Sequence, residues 1–174
     1  AGRRVQRAAA HREKGENGNW GPLQSIAATT GPRALYNRAA QWLETWIGHD
    51  LLALAARFGI AGVFWLSGRT KVDGWLSVSE SAVALFEDEY KVPVLSPELA
   101  AHLAAYAEHL FPALLVIGLA TRVSALALLG MTAVIQVFVY PDAWPTHLVW
   151  ATAMLYLVGR GGGALSLDRL LGLR

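Results

Sequence analysis

Four stretches of this chain run for 16 to 24 residues with almost no charge: about 51–67, 97–120, 123–140 and 143–158. About 20 apolar residues are what a helix needs to cross roughly 30 Å of hydrocarbon, so these windows restrict the fold more than any other feature. The composition agrees. The AVILMFWYC set makes up 54% of the 174 residues and charged residues only 16%, against about 25% charged in an ordinary soluble domain. A polar surface that small cannot coat a water-soluble globule of this length. The absence of cysteine excludes a disulfide framework and thiolate chemistry. A net charge of +2 is too weak a field for a nucleic-acid partner.

Thr121 and Arg122 separate spans two and three, and Pro141 with Asp142 separates three and four. Turns that short force antiparallel neighbours. The expected fold is therefore an all-α, up-and-down four-helix bundle embedded in the membrane, over residues 50–170. Eleven Lys and Arg flank the side holding both termini and the second turn, against three (Arg69, Lys71, Lys91) on the opposite side. That bias predicts cytoplasmic termini in a multi-pass protein of a bacterial inner membrane. Before Ala34 there is no apolar run resembling an export signal, and none is expected.

Residues 1–32 are rich in Gly, Arg, Gln and Asn without periodicity and read as an extended polar tail. Over 33–49, Leu35, Tyr36, Ala39, Trp42, Leu43, Trp46 and Ile47 recur at helical spacing, which predicts an amphipathic helix at the headgroups. Arg3, Arg4, Arg7, Trp20, Trp42 and Trp46 are the candidates for contact with partner subunits. In the long connection, a helical turn or two is expected over 81–90 with Leu85 and Phe86 towards the membrane, and Trp75 and Trp144 read as belt residues.

Ionisable groups inside hydrocarbon cost about 2.5–3.5 kcal/mol each at a helix centre, so each needs a partner or a purpose. Counted along their helices, Arg57 and Glu108 come to similar depths, which predicts an intramembrane ion pair. It would be either a register clamp or a proton-handling pair. On span two, Glu98, His102, Tyr106 and His109 share one helix face and should turn into the bundle. With Gln136, His147, Arg69 and Lys71 they would form a polar pocket on the side away from the termini. Imidazoles there can hydrogen-bond backbone, hold a quinone, or ligate haem or metal; a quinone is the cofactor favoured over haem, and no metal ligand is assigned. Gly59, Gly62, Gly118 and Gly130 are expected to let helices approach closely. Ser166 is placed to cap a short helix carrying Asp168.

Several segments in register resemble the DoxX family of small four-span bacterial membrane proteins. They are Arg57 with the Gly68–Lys71 exit, Glu108–Pro112, Gly118–Arg122, and Gly161–Asp168. The Val139–Trp144 turn is further similar to the branch that accompanies gene clusters for small metal-binding peptides. The resemblance spans roughly 51–170, leaves residues 1–50 outside it, and implies redox surroundings without one defined reaction. Two functions then compete: an accessory subunit of a redox, electron-transfer assembly that lines a quinone site, or a structural packing subunit of a respiratory or photosynthetic complex. A haem- or metal-binding membrane protein is the third alternative. In each case the chain reads as an accessory component more than a stand-alone enzyme.

Overall fold

A computed structural model describes residues 31–173, so the expected contacts of Arg3, Arg4, Arg7 and Trp20 lie outside the described residues. The chain divides into two units after Ile47. In the first, helix α1 spans Pro32–Trp46. Pro32 opens it, where a missing N–H costs nothing. None of its side chains is buried, and the rings of Trp42 and Trp46 lie 5.8 Å apart.

The second unit holds α2 (His49–Arg69), α3 (Glu80–Leu85), α4 (Pro97–Ile117), α5 (Thr121–Val134), α6 (Trp144–Arg160) and the short α7 (Leu167–Leu170). Among the described residues, three helical segments are long and apolar enough to cross a membrane: His49–Arg69, Pro97–Ile117, and Thr121–Val139, where a π-helical turn extends α5. The expected fourth span, α6, has 17 residues, about 26 Å. It nevertheless packs with α2 and α5, while α4 packs along α2 and against α5. A ribbon of two short strands, β1 (Val72–Asp73) and β2 (Ser77–Val78), is the one departure from helix among the regular elements described.

The distribution of side chains is inverted relative to a water-soluble bundle. Leu66, Val123 and Val149 point outward, while Arg57, Lys71, Glu108, His109 and His147 are buried beside Phe64, Leu115, Leu128 and Met154. Apolar surroundings account for both halves of that pattern. We call the end where α2 starts proximal and the end where it stops distal. At the distal end, Ser79 Oγ accepts from Ala82 N at 3.2 Å and starts α3. A π-helical turn, Phe86–Tyr90, then packs Phe86 on Ala100 and Ala101. Phe86 thus faces the bundle and not lipid, because the small alanines of α4 leave room for its ring. Trp75 and Trp144 remain exposed.

Of the glycines expected to admit close packing, Gly59, Gly62 and Gly130 face open space, and only Gly118 is tight. Gly118 takes φ +71°, ending α4 at Ile117, and a Cβ there would lie 2.6 Å from Ser166 Cβ and 2.7 Å from an Arg57 guanidinium nitrogen.

Candidate functional site

α2 ends at Arg69, and the ribbon turns the chain so that Lys71 reaches back along the last turn of its own helix. Its ammonium donates to Ser67 O at 3.3 Å, Ser67 Oγ at 3.0 Å and Glu108 Oε2 at 2.8 Å. Both residues are almost sealed, at 4% and 2% exposure. Gly68 makes the approach possible: a Cβ there would sit 3.0 Å from Glu108 Cβ and 2.9 Å from His109 Cε1. Desolvating two charges costs several kcal/mol each, which mutual attraction offsets only with good geometry. Three ammonium protons on three acceptors supply that geometry.

The pair lies at one side of a cavity of about 410 Å³, within the range of small-molecule sites. Its walls are apolar, built by Val63, Phe64, Phe86, Leu103, Ala104, Met131, Ile135 and Trp150. His147 is a further polar group in the lining. Its Nδ1 lies 2.6 Å from Gln136 Oε1, and Gln136 Nε2 donates to Pro141 O at 2.7 Å. The rim is latched by Tyr140, whose hydroxyl donates to Glu89 Oε1 at 2.6 Å and whose ring meets that of Tyr90 at 5.8 Å. The hydrogen bond to the Glu89 carboxylate holds the Tyr140 phenol above the ordinary range for tyrosine.

The expected Arg57–Glu108 pair does not form. Arg57 donates to Leu115 O (2.7 Å), Val116 O (2.6 Å), Gly162 O (3.1 Å) and Leu165 O (2.6 Å). The first two are carbonyls of the last turn of α4, of which Leu115 O also accepts from Gly118 N at 3.1 Å, and a cation there is favoured by both hydrogen bonding and the helix dipole. Glu108 is seven residues before Leu115, about 10 Å along the helix. The depths differ because α4 begins well beyond the point where α2 stops. Arg57 is therefore a proximal rivet. Asp168 completes it, its carboxylate accepting from Ala120 N at 2.7 Å and Thr121 N at 2.8 Å at the start of α5. Ser166 Oγ accepts from Arg169 N at 3.3 Å at the start of α7 and donates to Gly163 O at 2.7 Å. Arg122 repeats the device of Arg57, donating to Val158 O and Gly159 O at the end of α6.

The expected polar pocket is thus assembled in part. Lys71 and His147 line the cavity and Gln136 orients His147, with Glu108 joining them. Arg69 instead binds Gly74 O and Trp75 O within its own turn. His102 donates to Glu98 O at 2.8 Å on its own helix, and Tyr106 is half exposed. His109 is buried against Trp65, ring centroids 5.0 Å apart, on the other side of α4. Its Nδ1 donates to Ala105 O at 2.6 Å, and its Nε2 has no partner among the described residues. Of the polar stripe only His109 turns inward, because Ala101, Ala105, Pro112 and Leu115 form the face that α4 buries, with Glu108 and His109 on it. Small side chains there permit close helix approach. Among the described residues no three His, Asp or Glu side chains gather as a metal ion would require.

Sequence reasoning missed the Lys71–Glu108 pair and the Glu89–Tyr140 latch. A signal for the first was present in the alanine spacing that places Glu108 on the buried face of α4. Nothing in the sequence pointed to the second.

Comparison with known proteins gives two matches. The family model described as DoxX matches residues 52–141. An uncharacterised protein of Haemophilus influenzae is 30% identical over 135 residues, covering 72% of this chain and 86% of that protein. No solved structure matches the chain.

Proposed function

The chain belongs to the DoxX family of membrane proteins, and from that premise we propose that it is an accessory subunit of a larger redox membrane assembly that holds the head group of a membrane quinone in the distal cavity. The cavity carries this reading. A planar aromatic head fits apolar walls that include Phe64 and Trp150, and Glu108 and His147 are fixed polar groups in that lining beside which its oxygen substituents would lie. Glu108 is held at the wall by Lys71, so the carboxylate is available without being an uncompensated buried charge. The proximal end, by contrast, is occupied by Arg57 and Asp168 in hydrogen bonds to backbone.

The same proposal places the protein in a bacterial inner membrane with both termini cytoplasmic, on the Lys and Arg bias. It assigns contact with other membrane subunits to α1, whose Leu35, Tyr36, Trp42 and Trp46 are all exposed, and to the polar tail before it. The test is retention of a short-chain ubiquinone, in its oxidised or its reduced form, by the full chain in detergent. One equivalent should bind, and Ala104→Phe, which fills the cavity, should abolish binding while leaving helix content unchanged. Absence of binding to the native chain, or equal binding by the filled variant, would remove the proposal.

A further inference from the structure

The hydrogen-bonding polarity of the cavity says more about its occupant than its size does. Lys71 has three N–H bonds, and all three are taken by Ser67 O, Ser67 Oγ and Glu108 Oε2. It has no proton left for a ligand. Glu108, paired with that ammonium, is a carboxylate and can only accept.

His147 is fixed by a chain of reasoning that starts at a carbonyl. Pro141 O can only accept, so the Gln136 group facing it at 2.7 Å is the NH₂. The amide oxygen therefore faces His147, and the 2.6 Å contact requires a proton on Nδ1. A neutral imidazole that donates from Nδ1 keeps its lone pair on Nε2. The two fixed polar groups in the lining, one on α4 and one on α6, are thus both acceptors. The hydroxyls of Ser67 and Tyr90 can serve as donor or acceptor and favour neither partner, and the Tyr140 proton is committed to Glu89.

We infer that the cavity is built for the reduced, hydroxyl-bearing form of its ligand, a quinol, in preference to the quinone. A quinone offers two carbonyl acceptors, which would face acceptors across an apolar space. A quinol offers two O–H donors, which satisfy Glu108 and His147 Nε2. Burying unmatched acceptors costs much more than a hydrogen bond gains. This inference rests on the assignment of the cavity to a quinone-type head, and it narrows the substrate class at that site.

The experiment is a competition measurement on the full chain in detergent, under anaerobic conditions. The ligands are a short-chain ubiquinone, its quinol, and the quinol dimethyl ether, which has the same ring and no donor. The quinol should bind more tightly than either of the others by about tenfold or more, the order expected for one well-placed hydrogen bond. His147→Phe should lower that preference while the quinone's own affinity stays nearly constant. Equal affinity for quinone and quinol, or tighter quinone binding, overturns the inference and leaves the site assignment standing. Binding of none of the three overturns the site assignment and the inference together.

Discussion

The ammonium of Lys71 lies 2.8 Å from the carboxylate of Glu108, joining a residue just past the end of α2 to the middle of α4. This contact pins the distal connection to the bundle and sets a polar group into an otherwise apolar cavity wall. Removing one partner should therefore be far worse than removing both. Lys71→Met leaves a buried carboxylate uncompensated and should cost about 3–5 kcal/mol. The double variant Lys71→Met with Glu108→Leu should recover most of that loss. Thermal unfolding in detergent, followed by helix signal, measures both; a double variant as unstable as the single one contradicts the pairing.

Arg57 is held by four backbone carbonyls, so its worth lies in the fork of donors and not in its charge alone. Arg57→Lys keeps the charge and cannot reach all four. It should lose about 3 kcal/mol or more. Gly118→Ala should also destabilise, since its Cβ would collide with Ser166 and the guanidinium. Because the two changes break one knot, their combined cost should fall short of the sum. Additive losses in a double-mutant cycle would show the rivet to be two independent contacts.

How much of this was legible beforehand differs between the two ends. The spans were legible because hydrocarbon demands long apolar runs, and only α6 came out shorter than a full crossing. Arg57 was recognisable as a residue needing partners. Its partners were not, since backbone carbonyls at the end of α4 leave no trace in side-chain identity. Counting depth from each helix start also failed. It assumed that α2 and α4 begin and end at matched levels, whereas residues 72–96 cap a distal half of α4 that extends past α2. His102, Tyr106 and His109 share a helix face, yet only His109 is buried, because the alanine stripe, whose small side chains let α4 pack closest, sets which side turns inward.

Asp168 caps α5 through two backbone amides. Asp168→Ala should cost about 1–2 kcal/mol. Asp168→Asn, which keeps one acceptor, should cost less. Unfolding temperatures of the two variants in the same detergent give the order, and equal losses would mean that the charge matters more than the cap.

Tyr140 is held protonated above the usual tyrosine range by its hydrogen bond to Glu89. A pKa raised on folding means that the latch contributes fully below the ordinary tyrosine pKa and is lost as pH climbs through the raised value. The difference between alkaline absorbance titrations of the native chain and Tyr140→Phe isolates this residue. Glu89→Gln should bring its transition back towards the ordinary range. A transition unmoved by that change would show the latch to be absent in solution.

The occupancy of the distal cavity is tested most directly by photolabelling the full chain with an azido-quinone and sequencing the labelled peptides. Label should fall on α4 near Leu103 and Ala104 and on α6 near Trp150, and excess unlabelled quinol should suppress it. Label confined to the proximal end near Arg122 and Arg160, or spread over the lipid-facing residues without competition, would contradict the assignment.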